Sequence, residues 1–189
     1  LEGRVSAVCA LSDGIIVDCG GVVRLRSDPG DFVWKRTFQC DVYRLVADST
    51  NVGVLSGPGF HLLSLATGDP LGEGRAVSGG FRDVLSRPGG GWVLPDRGDH
   101  VHLFNNEGRG IRRLRPGRIR KLVGWLDREH LLAMDDDGHL RCLRLFGEDS
   151  QRIIEERRWA WASRLSCGRV LVQAMDGGIL EWGPNLFGW

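Results

Sequence analysis

Five copies of one short pattern run through the chain, and their spacing constrains the fold more than any single residue. The apolar runs Ile15-Ile16-Val17, Gly53-Val54-Leu55, Trp92-Val93-Leu94, Leu131-Leu132-Ala133 and Val170-Leu171-Val172 begin 38, 39, 39 and 39 residues apart. A tight turn follows each run: Cys19-Gly20-Gly21, Gly57-Pro58-Gly59, Arg97-Gly98-Asp99, Asp136-Asp137-Gly138 and Asp176-Gly177-Gly178. Gly and Asp tolerate the positive φ that a two-residue hairpin demands. Alternating segments come next: Val23-Arg24-Leu25, Phe60-His61-Leu62, Val101-His102-Leu103, Leu140-Arg141-Cys142 and Ile179-Leu180-Glu181. They recur at 37, 41, 39 and 39 residues. Alternation of apolar and polar residues marks strands.

Two landmarks on one shared period predict one small sheet per repeat, which is the layout of a β-propeller. The chain is therefore read as all-β, a single domain over residues 1–189 with five short four-stranded blades, or as part of a larger propeller. The repeats fall at roughly 4–40, 41–79, 80–118, 119–157 and 158–189. Inner strands are expected near 5–11, 42–46, 81–85, 120–125 and 159–165. Outer strands are expected near 32–37, 75–78, 111–115 and 151–156, with 185–189 closing the last blade. No segment has helical periodicity with caps at both ends.

Phe60-His61-Leu62-Leu63-Ser64-Leu65-Ala66-Thr67-Gly68-Asp69 resembles the third strand and the Thr-Gly turn of WD40 repeats. Where that family usually carries Trp, this chain has Arg26, Leu63, Phe104, Leu143 and Trp182. The Gly-His and Trp-Asp dipeptides of the family are not at their usual places. The resemblance implies a partner bound on the face formed by the turns after the middle strands and those entering the inner strands. Here that face comprises Arg82, Asp96, Arg97, Asp99, Arg118, Asp136, Arg158 and Trp159.

Composition narrows the class. Apolar content of 42% and charged content of 26% are ordinary for a globular protein. No apolar run approaches the roughly 18 residues that span a membrane, and no secretory signal is visible. The chain opens on Leu1, which reads as something other than a natural start. The five cysteines, Cys9, Cys19, Cys40, Cys142 and Cys167, include no C-x-x-C pair. That usage fits a reducing, cytoplasmic compartment. Lys35 and Lys121 are the only lysines among 25 cations. This bias suggests a bacterial source and favours bidentate pairs and stacking on Trp. A net charge of +1 argues against a dedicated nucleic-acid binder.

The strongest charge anomaly is the acid-free run Arg109, Arg112, Arg113, Arg115, Arg118, Arg120 and Lys121. It reads as a solvated outer strand paired with Glu155 and Glu156 of the next blade, as a grip for an acidic protein, or as a phosphate contact. Asp135-Asp136-Asp137-Gly138 reads as a polar turn, because calcium loops space their carboxylates so that oxygens converge. His100 and His102 share a strand face but lack a third ligand of suitable spacing. Trp159 and Trp161 also share a face, as core wedges or as a docking anchor. Asp41 and Asp83 are the nearest axial acids, and no G-x-S-x-G elbow is present.

Short loops leave flat faces, which suit docking more than enclosure. The expected function is a non-catalytic protein-interaction module, a scaffold or sensor without cofactor or metal, whose partner is a protein or peptide of acidic character. Degenerate short-repeat propellers of this kind are similar to those of bacterial regulatory systems with MoxR-type ATPases and von Willebrand A domains. A lectin-like binder with equivalent pockets in every repeat, and an enzyme with convergent carboxylates, are the alternatives.

Overall fold

A computed structural model describes residues 4–27, 31–146, 150–155, 157–165 and 167–183, with the backbone alone for 150–155. Its described residues form strands and turns, without helix. The first blade is β1 (Val5–Ala10), β2 (Gly14–Cys19), β3 (Val22–Ser27) and β4 (Phe32–Thr37). The second is β5 (Val42–Ala47), β6 (Asn51–Ser56), β7 (Gly59–Ser64) and β8 (Pro70–Arg75). The third is β9 (Leu85–Ser86), β10 (Trp92–Pro95), β11 (Val101–Phe104) and β12 (Gly110–Leu114). The fourth is β13 (Ile119–Trp125), β14 (His130–Asp135), β15 (Leu140–Arg144) and β16 (Ser150–Glu155). The fifth has three strands among the described residues, β17 (Trp159–Arg164), β18 (Val170–Ala174) and β19 (Ile179–Trp182). Each sheet is an antiparallel meander in chain order.

In the second, third and fourth blades alternate residues of the middle strand face opposite neighbours, and both neighbours are sheets. This is why the middle strands read as continuous apolar runs instead of alternating ones. Four core clusters result, one between each consecutive pair of blades. Ile16, Val23, Leu25 and Trp34 of the first blade meet Val42, Leu45, Val52, Val54 and Leu63 of the second. Leu55, Phe60 and Leu62 then meet Phe81, Val84, Trp92, Leu94 and Phe104. Val93, Val101 and Leu103 meet Ile119, Leu122, Leu131, Ala133 and Leu143. Leu132, Met134 and Leu140 meet Trp159, Ala162, Val170 and Val172. A fully buried aromatic or aliphatic side chain contributes about 1.5–3 kcal/mol, so these clusters hold one blade to the next.

Residues one repeat apart also hydrogen-bond across the blade boundaries. Tyr43 Oη donates to Phe81 O at 2.8 Å, and Trp125 Nε1 donates to Ser86 O at 2.7 Å. Across the first boundary, at the shorter separation of 31 residues, Trp34 Nε1 donates to Leu65 O at 2.8 Å.

The structure corrects the expected strands in three places. The outer strand expected at 75–78 is β8, five residues earlier at its start. The turn after β7 is so tight that the chain reverses at once: Gly68 N donates to Ser64 O at 2.9 Å and Ser64 N to Asp69 O at 2.8 Å. Gly68 has φ +72°, and a Cβ there would lie 2.6 Å from the Trp34 ring, so both conformation and space require glycine. The inner strand expected at 81–85 reduces to a Phe81–Asp96 bridge and the two residues of β9. The segment between them turns Asp83 inward, where its carboxylate accepts the N–H groups of Val84 and Leu122 at 2.9 and 3.0 Å.

The third correction is a register slip. The position equivalent to Ile15, Trp92, Leu131 and Val170 in the second blade is Val52, not Gly53, because Ser56 opposes Val42 as Cys19 opposes Val5. One residue of slip exchanges the two faces of a strand. Gly53 therefore faces the third blade, where a Cβ would come within 2.8 Å of Trp92. The closing strand expected at 185–189 lies outside the described residues.

Candidate docking site at the axial mouth

Every inner strand carries one extra residue at the same point. Val5 opposes Cys19 while Ala7 opposes Asp18. Val42 opposes Ser56 while Arg44 opposes Leu55. The same slip separates Ile119 from Lys121 and Trp159 from Trp161. In the third blade Phe81 opposes Asp96 and Leu85 opposes Val93, which again leaves one residue over. A β-bulge of this kind re-aims the side chains beside it. The residues so placed are Ser6-Ala7, Tyr43-Arg44, Arg82-Asp83, Arg120-Lys121 and Ala160-Trp161. Members of the last four pairs, with Met134, line one open cavity of about 260 Å³. An adjoining hollow of about 400 Å³ is lined by Tyr43, Phe81, Arg82, Arg97 and Arg120.

The cations of this mouth are Arg44, Arg82, Arg97, Arg120 and Lys121, and Asp83 is the carboxylate lining it. Arg44 Nε stands 2.9 Å from Asp83 Oδ1. Burial pushes the Asp83 carboxyl above the usual carboxylate range, against the pull of Arg44 and two backbone N–H groups. Burial likewise holds the Lys121 ammonium below its usual value, against the attraction of Asp83. Lys121 Nζ lies 4.7 Å over the Trp161 ring. Arg120 Nη2 donates to Ala160 O at 3.2 Å and to Trp159 O at 3.4 Å. At the rim, Arg82 grips Asp136 with both guanidinium nitrogens, Nη2 to Oδ2 at 3.1 Å, and also reaches Arg97 O at 3.4 Å. A cationic, half-open cleft with an indole and a phenol in its wall is suited to a carboxylate or phosphate flanked by an apolar group.

Five of the eight residues expected on the docking face gather around the Asp136-Asp137-Gly138 turn. Arg82 reaches it from the third blade, its Nη2 also touching Arg97 O. Arg118 O accepts Asp136 N–H at 3.3 Å, and Gly138 O accepts Trp159 N–H at 2.9 Å, which brings the exposed Arg158 alongside. The side chains of the other three lie elsewhere. Asp96 is fully buried, accepting His100 N–H at 3.1 Å and meeting His102 Nε2 at 3.1 Å. Trp159 is buried in the last core cluster with its ring edge-on to Trp182. Its size fills the wedge between the fourth and fifth blades. Asp99 pairs outward with Arg115 at 2.5 Å.

Other sequence features find local explanations. The Arg109–Lys121 run is not one patch: Gly110–Leu114 is the outer strand β12, whereas Arg120 and Lys121 sit at the mouth. The expected counterparts Glu155 and Glu156 have no described side chains. His102 serves Asp96, and Asp135 repeats that arrangement, accepting His139 N–H at 2.8 Å and Arg141 Nε at 2.7 Å. Asp135, Asp137 and His139 offer ligand atoms within 4.8 Å of one another, but Arg141 already neutralises Asp135. Open cavities of about 670 and 630 Å³ lie between the first and second blades. Sequence reasoning missed Tyr43 and Arg44 as site residues, and read Arg120 and Lys121 only within the Arg109–Lys121 charge run. Their signal is the bulge dipeptide, which recurs every 38–40 residues from Tyr43 through Arg82 and Arg120 to Ala160.

No family model matches the chain, and no curated protein matches it. Solved structures do. The WD40 β-propeller domain of Doa1 superposes with a TM-score of 0.75 at 14% identity, over 97% of this chain and 66% of that one. Hsv2 of Kluyveromyces lactis superposes with a TM-score of 0.71 at 12% identity, over 92% of this chain and 65% of that one. The fold is thus that of a WD40-type β-propeller, and the chain spans about two thirds of the length of these two structures. No helix among the described residues is long and apolar enough to cross a membrane.

Proposed function

We propose that this protein is a non-catalytic interaction module that docks an acidic peptide segment of another protein at the axial mouth. The convergence of Arg44, Arg82, Arg97, Arg120 and Lys121 from three blades around a single lining carboxylate carries the reading. Trp161 and Tyr43 add flat apolar surface next to the charges, which favours a carboxylate beside an apolar or aromatic residue. Asp83 is held by Arg44 and two N–H groups, so it serves the architecture. The Arg-for-Lys bias supports a bacterial regulatory setting, and the genes next to this one would test it.

The test is titration of a fluorescent peptide of alternating Glu and Leu against the protein and the double variant Arg82→Glu, Lys121→Glu. Loss of at least about tenfold in affinity at unchanged Tm is expected. Binding that survives this change but is lost in Arg118→Glu, Arg158→Glu would move the docking surface out of the mouth and onto the outer rim.

A further inference from the structure

The repeat allows each residue to be compared with its own equivalents in the other blades, and three positions of the first blade stand apart. Val5 is 44% exposed, while its equivalents Val42, Phe81, Ile119 and Trp159 are at 0, 0, 1 and 1%. Val8 is 56% exposed, against 4, 0, 3 and 0% for Leu45, Val84, Leu122 and Ala162. Ile15 is 38% exposed, against 0% for each of Val52, Trp92, Leu131 and Val170. All three lie on the face that, in later blades, packs against the preceding blade.

The last blade shows the converse. Ile179 occupies the position of Val23, Phe60, Val101 and Leu140, each fully buried against the following blade. Ile179 itself is 68% exposed. The two end blades therefore keep the residues of a blade interface without the interface. Among the described residues they do not cover one another, which points to an open arc of five blades.

We propose that these two end faces are the docking surfaces for one partner, a β-sheet module of about two further propeller blades that completes the ring. Three observations specify this occupant. The uncovered faces are of the two complementary kinds that meet at all four internal boundaries, so the occupant must itself present blade faces. The arc matches 66 and 65% of the two solved propellers, and the remaining third corresponds to about two repeats of this length. A second copy, with five blades of its own, is too large for that gap. The first blade also carries Arg24 and Arg26, stacked at 5.5 and 5.7 Å over Phe32. They stand where the later blades have His61 and Leu63, or His102 and Phe104. The abutting face of the occupant is accordingly apolar opposite Val5, Val8 and Ile15, with a carboxylate opposite Arg24.

Ile15 replaced by a photo-crosslinking amino acid, in the full-length gene product within its native cells, reads the occupant directly. The expected adduct is a peptide from a strand outside residues 1–189, in a sequence that repeats the two strand landmarks of this chain. The added change Val8→Asp is expected to cut the adduct about tenfold while leaving Tm of the isolated chain unchanged, because Val8 already faces water there. An adduct within a second copy of residues 1–189, an adduct with a segment lacking the repeat, or no adduct would each overturn the proposal. So would a Val8→Asp chain that no longer folds, since that would mean the face is already covered.

Discussion

Asp96 and Asp135 show how single residues hold this repeat together. They lie 39 residues apart, at the end of the middle strand, and both are buried. Each accepts the N–H four residues on, closing the hairpin, and each meets a side chain six residues on, His102 or Arg141. Burial alone would raise the Asp135 carboxyl. The hydrogen bonds from Arg141 and His139 N–H, with the charge of Arg141, outweigh it and hold the carboxyl below the ordinary range. A depressed folded value means that the ionised carboxylate adds stability above its unfolded pKa, and that this stability is lost as pH falls through the folded value. Asp135→Asn is therefore expected to cost about 1–3 kcal/mol at neutral pH. The gap between variant and parent should close as the solution is acidified below the ordinary Asp range. Thermal melts of both proteins across acid pH check this, and a gap that stays constant with pH would assign the loss to shape instead of charge.

At the scale of strands, equivalent positions do not have equivalent energetics. Leu122 and Val8 occupy the same place in their inner strands, one buried between blades and the other in water. Leu122→Ala is expected to cost about 2–5 kcal/mol, from lost burial plus a cavity, and Val8→Ala less than about 0.5 kcal/mol. Urea denaturation of the two variants measures both, and similar losses would show that the first blade is packed like the fourth. Sequence reasoning read the strands well where packing is on both sides. The apolar runs of β10, β14 and β18 and the outer strand β4 stand where the period put them. It failed where one residue decides the geometry. Gly53 sits inside an apolar run and so masked the true repeat position, Val52. The Thr67-Gly68 turn reverses the chain sooner than the repeat average implied. The inner-strand bulges leave no mark on hydropathy, so the axial cations they gather were read singly or as part of a linear charge run.

At the scale of the whole molecule, net charge hides the organisation of charge. The chain as a whole is nearly neutral at +1, yet the cleft at its centre concentrates cations. Such a cleft attracts acidic ligands through a field that salt screens. Affinity for the Glu-Leu peptide is expected to fall steeply between about 0.05 and 0.5 M salt, and the Arg82→Glu, Lys121→Glu variant should lose most of that dependence. A salt-independent affinity, followed by fluorescence anisotropy, would point to an apolar docking mode elsewhere.

The proposed openness of the arc rests on the two end faces, and amide hydrogen exchange of the isolated chain reads it strand by strand. The middle strands β6, β10 and β14, buried on both sides, are expected to exchange slowest. Strands β1 and β19 should exchange at least about tenfold faster than their equivalents β5 and β15. Equal protection of β1 with β5 and of β19 with β15 would mean that the first and fifth blades shield each other in a closed ring, contradicting the architecture described.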